Sequence, residues 1–371
     1  MGEMDVVCIG PANVEIPFLR SLLNVVGEDT SLDRLPEGKH NLATFSRSPA
    51  VERDEYVLTI GGEKRTPIRF TAPSKVECKP AGSALNIAVG FRRVGASVRL
   101  ITSLVNVPHD LLSSDIRLYA LRHGIQLVEV NRPMTPITFI IVDGDDECEK
   151  STVLSYKPWY KITQDDANDA LRKIKKSRAT HMFATGIRIP ELTLVRKAFR
   201  RARRRGIMTC FIPNPSILSP SDKDIRRQLE KVIPLVDILQ INEREAEIFL
   251  EREEGALSFP SDIERIAKQT AVPTLIVTRG VKGAVAVIRG QYREIEAYQA
   301  TPKVVDTTGA GDAFLLGFVF ALHEGCTITD ALSLAAFSAT SNIMAIGGHG
   351  GMPSRDQLLR HLSQLRPKDA P

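Results

Sequence analysis

The chain has 371 residues, 43% of them hydrophobic and 25% charged, an ordinary globular composition that fits one large α/β domain with an added piece or two domains. A formal net charge of +5 suits an anionic ligand without by itself indicating nucleic acid. No apolar run reaches the about 18 residues a membrane helix needs, which excludes an α-helical membrane protein.

Asp5–Gly10 is a short apolar run ending in Gly-Pro and reads as a buried strand. Residues 20–75 are richer in charge, Gly and Pro. Inside them, Tyr56–Ile60 and Thr66–Thr71 flank Gly61-Gly62, a hairpin pattern; the stretch reads as an insertion. From Ala84 onward strands and helices alternate. Leu85–Val94, Leu111–His123, Thr163–Lys176, Leu192–Arg205, Asp222–Ile233, Glu243–Glu251, Ser261–Thr270, Ala313–His323 and Ile328–Ala345 read as helices. Ser97–Ile101, Gln126–Val130, Thr138–Val142, His181–Ala184, Met208–Ile212, Ile238–Ile241, Thr274–Thr278 and Ala284–Ile288 read as strands, the last two as a hairpin. This alternation predicts a largely parallel sheet with helices on both faces and a ligand site beyond the carboxyl ends of the strands.

Five cysteines, Cys8, Cys78, Cys148, Cys210 and Cys326, are scattered with no CxxC spacing. They argue against disulfides or structural zinc and for reduced thiols in a cytoplasmic setting. The N-terminus has no signal-peptide pattern, and Val6 stands where myristoylation of Gly2 wants Ser or Thr. Arg200–Arg205 holds five arginines on an expected helix, a solvated face rather than a nucleic-acid site.

Gly309-Ala310-Gly311-Asp312 lies between an extended stretch and a strongly apolar helix. Small residues let backbone N–H groups approach a ligand, and a helix N-terminus offers unsatisfied donors and partial positive charge. Together they make an anion hole. An acid beside it can take a hydroxyl proton while the amides hold charge on a transferred phosphoryl group. A dinucleotide-binding GxGxxG would need glycine at Phe314, and no Walker A sequence occurs. The plainer alternative, a glycine-rich turn with Asp312 as a helix cap, stays open on spacing alone.

Asp306–Phe314, DTTGAGDAF, resembles the C-terminal signature of the ribokinase-like, or PfkB, kinases of sugars and nucleosides. Ala81–Ala88 with Gly95 is similar to the N-terminal signature, Asn242–Glu245 to the N-x-x-E motif, and Thr278–Gly283 to the T-x-G-x-x-G turn beside the nucleotide. The resemblance implies a three-layer α/β/α fold with a mostly parallel sheet, 1–19 and 76–371 forming the kinase domain and 20–75 a small β-lid. It implies ATP and Mg²⁺ as cofactors. Asp312 would be the general base, with the amides of Gly309, Ala310, Gly311 and Asp312 on the γ-phosphate. Asn242, Thr278, Gly280, Gly283, Thr308 and Asn342 would face the nucleotide, and Glu245 with Asn242 would position the metal. Asn13, Glu15, Gly82, Ser83 and Asn86 would face the substrate. The acceptor would be a primary hydroxyl of a sugar or sugar-like molecule, with no nucleic-acid or membrane partner, and the lid is where a homodimer would form.

The substrate end departs from the pattern. Glu15 stands near the place of an aspartate, 104–110 lacks the usual glycine- and aspartate-rich stretch and leaves Asn106 or Asp110 as replacements, and Ile212-Pro213-Asn214 has lost an acid. A nucleoside substrate, or a catalytically weak binding protein, therefore stays open. His109 and His349 read as surface loop residues, and Gly347–Gly351 as a flexible loop.

Overall fold

The computed structural model describes residues 3–12, 79–105, 110–130, 162–174, 178–218, 223–299 and 304–365 in full (Pro190 by backbone), and strands within 13–73 and 131–156 by backbone alone. The strands are β1 Asp5–Ile9, β2 Asn13–Leu19, β3 Asn24–Val25, β4 Gly38–Ser48, β5 Arg53–Ile60, β6 Pro67–Pro73, β7 Lys79–Ala81, β8 Ser97–Val105, β9 Gln126–Arg132, β10 Ile137–Val142, β11 Ser151–Tyr156, β12 His181–Ile187, β13 Met208–Pro213, β14 Ile238–Asn242, β15 Thr274–Thr278, β16 Ala284–Ile288 and β17 Gln291–Ile295. The helices are α1 Ser83–Arg93, α2 Leu111–Arg122, α3 Gln164–Lys173, α4 Ile189–Arg204, α5 Lys223–Leu229, α6 Glu243–Leu250, α7 Ser261–Thr270, α8 Ala310–His323, α9 Ile328–Ile343 and α10 Arg355–Leu365.

A nine-stranded sheet runs β17-β16-β15-β14-β13-β12-β1-β8-β9. It is parallel from β9 to β15, and β16 and β17 close one edge antiparallel. β1 shows why it is a central strand. Val6, Val7, Cys8 and Ile9 are all 0% exposed. Val6 and Cys8 join the core beneath α1, α2 and α8–α10, whereas Val7 and Ile9 join the core beneath α3–α7. Alternate side chains thus bury into opposite layers, each such aliphatic contributing about 1.5–3 kcal/mol. This is a three-layer α/β/α architecture. α8 is buried from Asp312 through Ala321, as expected of a helix apolar on every side.

An eight-stranded second sheet runs β3-β6-β5-β4-β11-β10-β2-β7. The hairpin expected across Gly61-Gly62 is the antiparallel β5–β6 pair. This sheet also takes strands from outside 20–75. β10, expected among the alternating strands, pairs parallel with β2 and antiparallel with β11. It follows β9 too closely for a parallel crossover back into the central sheet, which needs about a dozen residues or more.

Helix bounds shift where chain chemistry intervenes. The helix expected over Asp222–Ile233 stops at Leu229 and gives way to a 3₁₀ turn at Ile233–Leu235, where Pro234 cannot donate to a continuing helix. β17 and α10 lacked a sequence signal strong enough to predict. The arginines at 200, 201 and 203–205 are exposed, as expected of a solvated face. No helix among the described residues is long and apolar enough to cross a membrane.

Candidate active site

α8 begins at the carboxyl edge of the central sheet, and its first turn carries Asp312 (6% exposed). The turn before it depends on Gly309, which has φ +75°, and an added Cβ would run into the carbonyl oxygen of Gly348. Only glycine meets both demands. The Ala310 N–H donates to Thr307 O at 3.2 Å, so that amide is already engaged in the turn. The carbonyl of Gly311 accepts from Gln240 Nε2 at 2.8 Å, tying α8 to β14.

Both Asp312 oxygens accept hydrogen bonds from α1. Ser83 Oγ donates to Oδ1 at 2.5 Å and Asn86 Nδ2 donates to Oδ2 at 2.9 Å. Ser83 and Asn86, expected on the substrate, both reach the acid. Behind Asn86 stands His349, with Nδ1 at 3.0 Å from Asn86 Oδ1 and Nε2 at 2.6 Å from Tyr119 Oη. Because Asn86 presents its oxygen, His349 Nδ1 must carry the proton and Nε2 must accept from tyrosine. Every donor in the chain Tyr119→His349→Asn86→Asp312 then points toward the carboxylate. Burial, with Arg93, His123 and Lys79 adding repulsion, pushes His349 down to about 3, so the imidazole is neutral near pH 7.

His349 is therefore buried (8% exposed), contrary to the surface loop expected. A lone histidine between glycine pairs carries no local sign of its partners, which lie on α1 and α2. His109 lies outside the described residues. Gly347–Gly351 is clasped against the loop that precedes α8. Asn342 Nδ2 donates to Thr308 O at 3.0 Å and to Gly348 O at 3.3 Å. Asp306, missed as a site residue, accepts from the Thr308 N–H at 2.9 Å and the Gly347 N–H at 2.8 Å. Asn342, expected toward the nucleotide, is 0% exposed and serves as a staple between two loops.

Beside this loop, the ends of β14 and β15 bring Asn242 opposite Thr278 in register. Asn242 Oδ1 accepts from the Glu245 N–H at 2.8 Å, and Glu245 Oε2 accepts from the Asn242 N–H at 2.9 Å. This reciprocal capping box fixes an amide and a carboxylate at the N-terminus of α6. Gly280 and Gly283 form the following turn, where the Arg279 N–H donates to Gly283 O at 2.7 Å.

At the other end, Asn13 and Glu15 lie in β2, with Asn13 opposite Ala81 and Glu15 opposite Lys79 in register. That register sets Asn13 beside the residue preceding Gly82 and α1. Asp110, a candidate replacement ligand, caps α2 by accepting from the Ser113 N–H at 2.8 Å; Asn106 lies outside the described residues. Asn214 caps the 3₁₀ turn after β13.

A buried acid on a glycine-lined helix start thus lies at the carboxyl edge of a doubly covered parallel sheet, the edge at which such sheets bind ligands. The chain belongs to the pfkB family of carbohydrate kinases, whose model matches residues 57–355; it is an ATP-dependent phosphotransferase with an alcohol group as acceptor. It is 26% identical over 285 residues to the ribokinase of Haemophilus influenzae, covering 76% of this chain and 86% of that protein. It is also 26% identical over 291 residues to a nucleoside kinase of Methanocaldococcus jannaschii, covering 77% and 86%. A crystal structure described as a putative ribokinase II from E. coli in complex with ATP and Mg²⁺ superposes with a TM-score of 0.67 at 18% identity, over 97% of this chain and 99% of that one. That likeness bears on the ribokinase-like fold.

Proposed function

We propose that this kinase phosphorylates a primary hydroxyl of a sugar or sugar-like molecule, with Asp312 as the general base. The observation that carries this reading is the Asp312 carboxylate, held by Ser83 and Asn86 at the start of α8. As acceptor of both bonds it is poised as an anion, and its remaining lone pairs can take the hydroxyl proton. The Gly309 and Gly311 amides and the partial positive charge of the helix start oppose charge that builds on the transferred group. Gly82 opens α1 beside Ser83, so the acceptor would lie between the α1 N-terminus, Asn13, Glu15 and Asp312.

ATP would supply the phosphoryl group and Mg²⁺ would neutralise its charge. The residues present fit both. Backbone without side chains borders the anion hole at Gly309 and Gly311. The Gln240 Oε1 and Asn342 Oδ1 atoms beside it are buried with no hydrogen-bond partner among the described residues. Thr278, Gly280, Gly283 and Thr308 would border the nucleotide. Asn242 and Glu245 would orient Mg²⁺ through water, since both are already engaged in capping and Mg²⁺ keeps several waters.

A coupled ADP-release assay over sugars and nucleosides, wild type against Asp312→Asn, tests this. Loss of the base costs about 10²–10⁴-fold in kcat. Undiminished turnover would remove Asp312 from that role. A nucleoside acceptor is the second reading, favoured by the resemblance to a nucleoside kinase. ATP binding by calorimetry with no turnover on any acceptor would instead favour a kinase-like binding protein.

A further inference from the structure

The ends of β14 and β15 leave the central sheet side by side. Asn242 lies opposite Thr278 in the parallel register, so the next residues along each strand, Glu243 and Arg279, emerge as neighbours. Glu243 is the first residue of α6, and Arg279 opens the 3₁₀ turn Gly280–Lys282.

The Arg279 guanidinium is placed on three sides. Its central carbon lies 4.0 Å from the centroid of the Phe259 ring, a cation–π contact. One terminal nitrogen, Nη1, donates to Glu294 Oε1 on β17 at 2.8 Å. The Nε edge faces α6, where Glu243 Oε1 stands 4.0 Å away.

That last contact is incomplete. Charge-assisted N–H···O bonds run about 2.7–2.9 Å, and Arg279 Nε is buried with no hydrogen-bond partner among the described residues. Lys282 Nζ, on the same turn, stops 3.8 Å from the same Glu243 oxygen; it is 61% exposed, so water screens much of its pull. The turn is thus anchored to β17 and stands about 1 Å short of a bonded contact with α6. A buried donor left unpaired costs free energy, which closing that gap recovers.

We propose that Arg279 and Glu243 are a positioning pair for the nucleotide: when ATP docks, Arg279 Nε closes onto Glu243 and locks the turn against the start of α6. This rests on the kinase reading above, which sets the nucleotide between that turn and the Asn242–Glu245 capping box. A ligand that draws the turn inward favours the closed contact, and by linkage the closed contact tightens the ligand. The pair acts through the turn and the helix start and need not touch the nucleotide itself.

The test uses the full chain and calorimetric titration of ATP in excess Mg²⁺. Glu243→Ala should weaken ATP binding about 10-fold, and Arg279→Met by at least as much. The double variant should lose little more than Arg279→Met alone, because both changes break one contact. Glu243→Gln keeps an acceptor for Nε and should recover part of the loss. In steady-state ADP release, Glu243→Ala should raise the KM for ATP while kcat stays within about twofold. Arg279→Met also loses Glu294 and Phe259, so Glu243→Ala carries the decision. Its unliganded melting temperature should stay within about 3 °C of wild type, since the contact is open without nucleotide and only a first-turn acid is lost. ATP affinity within twofold of wild type in Glu243→Ala, whatever its Tm, marks a structural pair and overturns the proposal. Losses that multiply to about 100-fold in the double variant, or a fall in kcat with the KM for ATP unchanged, overturn it too. A wild type that binds no ATP overturns both the pair and the kinase reading. ATP binding with no turnover on any acceptor defeats the kinase reading alone, and the calorimetry still decides the pair.

Discussion

Asp312 receives two hydrogen bonds from one helix, and the second is held in turn by His349 through Asn86. A carboxylate positioned through an amide is only as well placed as that amide, and small misplacements at a reacting centre cost up to about 10²-fold. His349→Phe is expected to lower kcat about 10-fold while the KM for ATP stays within about twofold. His349→Gln, which keeps a donor and an acceptor, should recover much of the loss. A simple packing role would give no such recovery, and steady-state kinetics decides. The same imidazole makes stability pH-dependent. Its folded-state value of about 3 lies below the ordinary 6.5, and His181 is pushed down to about 4 by burial and His323. Between those values and 6.5 the unfolded chain binds more protons than the folded one. Stability is then fully present above pH 6.5 and falls as pH drops toward 3–4, by at most about 1.4 kcal/mol per pH unit per group. Melts from pH 8 to 4 should show this fall, and His349→Gln should flatten it.

The helix start carrying Asp312 is fixed by two loops that hold each other. Asp306 bonds amides in both, and Asn342 bonds carbonyls in both. Gly309 has no room for a side chain against Gly348. Gly309→Ala should therefore destabilise by at least about 2 kcal/mol, from backbone strain plus displacement of the opposing loop. Calorimetry should show nucleotide binding weakened with it, whereas unaltered binding would separate the turn from the anion site. At this scale the sequence was informative where the signal is local. α7, β15 and β16 lie within the bounds their periodicity predicts, and the glycine-rich turn before α8 lies where the sequence marks it. The contacts that orient Asp312 were illegible because they join distant residues: Asn86 and Asp312 are 226 apart, Tyr119 and His349 are 230 apart, and Asn86 and His349 are 263 apart. No window of periodicity spans such distances, so neither the bonds of Ser83 and Asn86 to Asp312 nor the burial of His349 is legible in any local stretch.

The whole molecule combines a doubly covered sheet with a second sheet built from scattered segments. Alternating strands and helices made the first legible. The second was only partly so, because β2, β7, β10 and β11 are recruited from stretches flanking or remote from the insertion, and pairing is not written in any one of them. We expect 20–75 to act as a closing cover. ATP plus acceptor should slow limited proteolysis within it, as lid closure does when it excludes water; equal cleavage with and without ligands would argue for a fixed sheet. Pairing through this cover should give a sedimenting mass about twice the 40.9 kDa of one chain, diminished when its strands are altered.

The distances that hid the partners of Asp312 from local reading also govern when their network comes into being. Asp312 takes its donors from the first third of the chain, and the imidazole that steadies one of them comes more than thirty residues after it. During synthesis from the N-terminus, Ser83 and Asn86 emerge long before the acid they will hold, and contacts of such separation close late. A growing chain can thus fold much of its central sheet while the network around Asp312 is still unassembled. The hydrogen-bond network around Asp312 is therefore complete only once His349 has been made.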